Sequence, residues 1–164
     1  MTASEYHLRP ASGSDLAVIK RILYEATTWD STSPPPLKTV MEHPELVRYH
    51  QGWGREGDLG VIVSHGDRVA GGAMCRLFVA DDHGHGFVDE STPELGIAVW
   101  KEHRGKGVGG RLLDALESSA ASAEFGALSL SANHGNPAIR LYERHGYETV
   151  TSDASSVVMV KRFV

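Results

Sequence analysis

From Glu94 to Gly110 the chain reads ELGIAVWKEHRGKGVGG, a strand-like run that passes through a basic link into a glycine-rich turn. Leu112, Leu113, Ala115 and Leu116 continue it as an amphipathic helix. Four of the eleven residues from Lys101 to Arg111 are cationic (Lys101, Arg104, Lys106, Arg111), and glycines stand at Gly105, Gly107, Gly109 and Gly110. A polyphosphate needs such a segment. Glycines let the backbone approach without a Cβ in the way, and the unpaired amides of a helix start, aided by its dipole, point at the anion.

Three phosphate-binding turns compete for these letters. Gly105, Gly107 and Gly110 spell G-x-G-x-x-G, the dinucleotide fingerprint. That fingerprint should follow its strand directly and find an acid about 20 residues on. Here Trp100 to Arg104 intervene, and Leu128 to Asn133 contains no acid. A P-loop would need G-x-x-x-x-G-K-[ST], which the sequence lacks. The third is R-x-x-G-x-G, matched by Arg104-Gly105-Lys106-Gly107-Val108-Gly109.

With that turn the segment resembles the GNAT family of N-acetyltransferases. Upstream, Glu94 to Val99 is similar to the family's fourth strand; downstream, Asn133 and the run Asn136 to Tyr147 are similar to its asparagine-to-tyrosine segment. The resemblance covers residues 94–147 by motif and the first ninety residues only by order of elements. It implies a mixed α/β fold, with a central, mostly antiparallel sheet flanked by helices and one splayed parallel strand pair. It also implies acetyl-CoA as co-substrate.

Length and composition agree. A chain of 164 residues, 41% hydrophobic and 23% charged, suits one soluble domain over 1–164. Cys75 is the sole cysteine, so a disulfide framework or thiolate metal cluster is not expected. The start MTASEYHLRP has no apolar core for a signal peptide, and no run approaches a membrane span; a cytoplasmic protein is expected. The net charge of −5 argues against nucleic acid as a partner. Between Arg76 and Glu94 stand five acids (Asp81, Asp82, Asp89, Glu90, Glu94) and one base. If this border and the basic turn face one cleft, one end suits phosphates and the other a cationic amine; alternatively, Asp81 and Asp82 solvate a hairpin tip.

In order, Tyr6 to Arg9 reads as a strand ended by Pro10, and Ser12, Ser14 and Asp15 as caps for a helix burying Leu16, Ile19, Ile22, Leu23 and Ala26. Trp29 to Pro36 breaks that helix, and the resemblance places acceptor-binding residues there. A short helix from Leu37 into Tyr49 is interrupted by Pro44. Leu59 to Ser64 and Val69 to Val79 read as strands joined at His65-Gly66-Asp67, with Gly71 and Gly72 marking a bulge or close packing. Positions 108, 112, 116 and 120 give the next helix one apolar stripe, and Leu128 to Asn133, after that crossover, should run parallel to Glu94 to Val99. Asn136-Pro137 starts a helix that Gly146 ends, and Thr149-Val150 with Val157 to Val160 closes the sheet as a hairpin.

The resemblance assigns roles. Ile97, Ala98 and Val99 would line the thioester arm, with the Val99 amide toward the thioester oxygen. Residues Arg104, Gly105, Lys106, Gly107, Val108, Gly109 and Gly110 would hold the pyrophosphate; Asn133 and Asn136 would contact the cofactor, Asn136 having capping as its alternative. An amine with pKa near 10.4 must lose a proton before it attacks, at a cost of about 4.6 kcal/mol at pH 7. A base is therefore useful, and Glu94 occupies the position where many members carry one; Asp89, Glu90 or a merely solvated Glu94 are the alternatives. Tyr142, six residues after Asn136, stands where the family has its thiol-protonating tyrosine, unless it is core. The nine histidines show no recognisable metal-ligand spacing, so no metal is expected; His83 and His85 read as loop residues, and His103, His134 and His145 as surface groups. The sequence thus reads as an acetyl-CoA-dependent N-acetyltransferase working on a small-molecule amine or a protein amino group through a ternary complex. A non-catalytic acyl-CoA sensor and a nicotinamide-linked oxidoreductase are the competing classes. A homodimer is compatible with the sequence and not legible in it.

Overall fold

The computed structural model describes residues 5–163. After β1 (Tyr6–Pro10) a 3-10 turn over Gly13–Asp15 leads into α1 (Leu16–Thr27). Ser12 and Asp15 cap that turn reciprocally, and Arg9 grips the Asp15 carboxylate at 2.9 and 3.0 Å. This pair draws the Asp15 carboxyl down to about 2. α1 buries Ile19, Ile22 and Leu23 against the sheet. Gly72 lies beneath, where a Cβ would come within 2.6 Å of Ile22 Cδ1; its absence lets the helix settle. The expected interrupted helix is two short ones, α2 (Leu37–Met41) and α3 (Pro44–Val47), with Pro44 opening the second.

β2 (Leu59–His65) and β3 (Arg68–Arg76) form a hairpin whose register shifts between Val63 and Ser64, the bulge expected near Gly71. β3 stops at Arg76, short of the expected Val79, because the ladder with β4 (Glu94–Val99) ends at the pair Arg76 and Glu94. The Arg76 side chain is wholly buried. It donates to Asp58 at 2.9 and 2.8 Å and to the carbonyls of Arg48 and Gln51 at 3.0 and 2.7 Å. Removing one partner of such a buried pair costs about 3–5 kcal/mol. The pair therefore pins segment 48–58, Tyr49 included, beside the end of β4.

α4 (Val108–Ser122) crosses over, burying Val108, Leu112, Leu113, Leu116 and Ala120, and leads to β5 (Ala127–Asn133). Each buried leucine contributes about 2 kcal/mol. β4 and β5 are parallel, as the crossover requires, but their ladder has a single Cα pair, Glu94 with Ser129. Beyond it the strands part, and β5 is held instead along its full length by β7 (Ser156–Arg162). α5 (Ala138–Arg144) and β6 (Glu148–Ser152) precede β7, which inserts between β5 and β6, so the sheet order is β1-β2-β3-β4-β5-β7-β6. Apolar residues pack on both faces, one cluster around α4 and a second around α1.

Candidate active site

A cavity of about 840 Å³ occupies the gap that β4 and β5 leave when they part. Alternation along β4 gives this gap two sides. Gly96 and Ala98 turn toward α1, where a Cβ on Gly96 would touch Leu23 at 3.5 Å. Leu95, Ile97 and Val99 turn toward the cluster around α4. The main chain alternates as well. The Trp100 amide donates to the Ala70 carbonyl at 2.8 Å, so the N–H and C=O of Val99 face the gap. Arg104 Nε donates to that carbonyl at 2.9 Å, while the Val99 amide has no acceptor among the described residues.

The glycine turn follows. Gly105 and Gly107 have φ of 73° and 79°, and Gly107 caps α4 in the left-handed conformation that glycine adopts at little cost. The amides of residues 105–110 have no acceptor among the described residues, and a Cβ on Gly105 or Gly107 would meet nothing within 4 Å. Free donors at a helix start beside open space suit a diphosphate. Lys106 is exposed at the same turn. Val108 turns its side chain into the core, leaving only its amide for a ligand, and Gly110 backs onto the His145 ring.

Across the gap Asn133 and Asn136 line the cavity with Tyr142. Asn136 Oδ1 accepts from the Ala138 amide at 2.9 Å, so it starts α5 as well as facing the cavity. Burial raises the Tyr142 phenol above its ordinary value, which keeps it protonated and able to donate.

Glu94 stands at the only paired position of the two strands and is 4% exposed. Its Oε2 accepts from the Tyr49 hydroxyl at 2.6 Å, and that hydroxyl accepts from the His85 amide at 3.0 Å. Oε1 has no hydrogen-bond partner among the described residues. Burial pushes the carboxyl up to about 7, with the Tyr49 phenol, the Gly86 backbone and the charges of His83 and Arg48 pulling the other way. The loop over it must be glycine-rich. A Cβ on Gly84 would overlap the Tyr49 hydroxyl, and one on Gly86 would lie 2.9 Å from the Glu94 carboxyl carbon. A buried carboxyl poised near neutrality has the properties of a general base.

The acidic run does not form one border of the cavity. Asp82 pairs with Arg48 at 3.4 Å, Glu90 accepts from the Ala80 amide at 2.8 Å, and Asp89 caps Ser91 at 3.0 Å; of the five acids only Glu94 lines the cavity. Asp82, Asp89 and Glu90 are thus engaged elsewhere, and Asp81 is exposed. Glu25 and Glu45 line the cavity instead, with Trp29 and Tyr49. No motif marks those four, because they converge from separate segments. Of the histidines, His83 stacks on Phe87 and His85 lies 3.6 Å from Glu45, whereas His103, read as a surface group, is half-buried with Nδ1 2.9 Å from the Tyr6 hydroxyl.

A helix start with unpaired amides beside a splayed parallel pair leaves room for a phosphorylated ligand with an extended tail. The profile of the Acetyltransferase (GNAT) family matches residues 23–147, and the chain belongs to that family. It is 31% identical over 91 residues to the uncharacterized N-acetyltransferase YjcF of Bacillus subtilis, and the matched stretch spans 56% of each chain. Among solved structures, the PaiA N-acetyltransferase of Thermoplasma acidophilum in complex with coenzyme A superposes with a TM-score of 0.71 at 16% identity, covering 96% of this chain and 99% of that one. YncA of Salmonella typhimurium with acetyl-CoA superposes with 0.69 at 20% identity, covering 97% and 94%. These likenesses bear out the mixed α/β fold with its parallel pair. No helix among the described residues is long and apolar enough to cross a membrane.

Proposed function

We propose that this protein transfers the acetyl group of acetyl-CoA to the nitrogen of a primary amine by direct attack in a ternary complex. The observation that carries the proposal is the splayed gap itself. It joins the free amides of 105–110 and Val99, on one side, to a buried carboxyl near neutrality on the other. Arg104, Lys106 and the glycine amides hold the diphosphate; Ile97, Ala98 and Val99 line the thioester arm; Asn133 and Asn136 contact the same ligand. Acetyl-CoA supplies the activated acyl group, and everything else is done by the chain. The Val99 amide donates toward the thioester oxygen, where negative charge grows during attack, and a donor so placed contributes about 3 kcal/mol. Glu94 takes a proton from the incoming ammonium. With a carboxyl near 7 it is charged for about half the molecules at neutral pH, and Tyr49 holds it in place. Tyr142 donates its phenolic proton toward the departing sulfur, which would otherwise leave as a thiolate.

The test is to titrate acetyl-CoA into the purified protein and then follow free thiol release across a panel of amines. Saturable binding followed by thiol release with at least one amine supports the proposal. Binding with no turnover across a broad panel favours the acyl-CoA sensor, and binding of NAD(P) in place of acetyl-CoA favours the oxidoreductase.

A further inference from the structure

We propose that the acceptor is a small primary amine carried on an apolar skeleton without a carboxylate, an arylalkylamine being the simplest example. This rests on the acetyl-transfer reading and deepens it. Three features of the acceptor half of the cavity carry it. The first is sign: Glu25, Glu45 and Glu94 line the cavity, whereas Arg104 is the sole arginine or lysine among the described lining residues and sits at the cofactor end, bonded to the Val99 carbonyl. His43 and His85 also line this half, and His85 lies 3.6 Å from Glu45, so a ligand carboxylate would meet three carboxylates and no lysine or arginine. The second is the buried carboxyl itself: Glu94 is nine-tenths buried and lines the cavity, its Oε1 lies against the loop at Gly84 with no hydrogen-bond partner among the described residues, and a cation in the cavity would offset its charge.

The third is the wall. Leu23, Ala26, Trp29, Pro35, Val40 and Leu46 surround the space in front of Glu94. The Tyr24 hydroxyl donates to the Pro35 carbonyl at 2.7 Å and ties the proline segment to α1. Uncharged polar capacity is scarce. The Tyr49 hydroxyl is engaged by Glu94 and His85, and His43 Nδ1 already accepts from the Glu45 amide, which leaves the Thr27 and Thr39 hydroxyls beside the Glu25 and Glu45 carboxylates and the His85 ring. Against the carbon of Leu23, Ala26, Pro35, Val40 and Leu46, the hydroxyls of a sugar or the amides of a peptide main chain would find no partner. An aryl or alkyl body buries nothing that needs one.

Thiol release from acetyl-CoA is measured with four acceptors: phenethylamine; phenylalanine, which is the same body plus a carboxylate; glucosamine; and a phenylalanine-initiated peptide amide. Phenethylamine is expected to show a kcat/KM at least about tenfold above each of the others. A match or an advantage for phenylalanine, glucosamine or the peptide overturns the proposal while leaving acetyl transfer standing. Thiol release with none of these amines or of a broad panel, in protein shown by calorimetry to bind acetyl-CoA, overturns both. Glu45→Lys, at an exposed position, supplies a lysine cation where the wild type has a carboxylate. It should narrow the phenethylamine-to-phenylalanine ratio severalfold, and an unchanged ratio contradicts the charge reading.

Discussion

The two halves of the cavity are made of different material. The proposed cofactor half, from β4, β5, α4 and α5, presents main chain: the Val99 amide and the amides of 105–110 are the donors it offers. The acceptor half, from α1 to α3 and the loop over Glu94, works with side chains: Glu25, Trp29, Glu45 and Tyr49. Main-chain sites bind whatever presents a diphosphate and a polar arm, so the same backbone serves many sequences. Side-chain sites select, and each has to be built afresh.

That contrast can be broken by substitution. The largest effect belongs to Gly107→Val. The residue has φ of 79°, which a β-branched side chain rarely adopts, and its Cβ would enter the space open to the diphosphate. Acetyl-CoA should no longer raise the melting temperature; a shift equal to the wild type's would show that the turn does not hold the ligand. Next is Glu94→Gln, expected to lower kcat at pH 8 by about 10²-fold or more while acetyl-CoA affinity stays within a few fold. Its stability effect has the opposite sign. The folded pKa of about 7 lies above the unfolded value, so the native state binds the extra proton and wild-type stability falls as pH rises between the two. Above pH 7 the glutamine variant should therefore be more stable, by up to about 3 kcal/mol, and melt higher. A lower melting temperature at pH 8 would contradict the buried-charge account.

Tyr142→Phe should reduce kcat by about 10- to 100-fold with little change in acetyl-CoA affinity, and unchanged turnover removes its acid role. The smallest effect is that of Tyr49→Phe. Its hydrogen bond favours the charged form of Glu94, so removing it moves the acid limb of the pH–rate profile upward from about 7. Activity near pH 6.5 should drop severalfold and recover by pH 9. A uniform loss at every pH would mean that Tyr49 only supports the fold.

The same contrast explains what could be read in advance. A main chain that must approach a phosphate demands glycine at set positions, so Gly105 and Gly107 were visible as letters before any fold was known. Helix signals were equally local: the stripe 108, 112, 116 and 120, and the Asn136-Pro137 start. The splay of β4 and β5 was legible only through the family resemblance, since it depends on where β5 finds its other partner, β7. Glu25, Glu45 and Tyr49 were invisible for the same reason. Tyr49 reaches Glu94 because the buried Arg76 and Asp58 pair pins segment 48–58, a contact between residues far apart in the chain. The run from Asp81 to Glu90 left two readings open, and the hairpin tip is the one found for Asp81 and Asp82, because charge density says nothing about which carboxylates sit in turns and which face a cavity.

A cofactor half that is preformed binds its ligand without help from the acceptor half. Calorimetric titration of acetyl-CoA into the purified protein, with no amine present, is the direct check. A saturable heat at one ligand per chain that NADH does not reproduce is expected. No heat with acetyl-CoA, or equal heat with NADH, would show that this half is not an acetyl-CoA site.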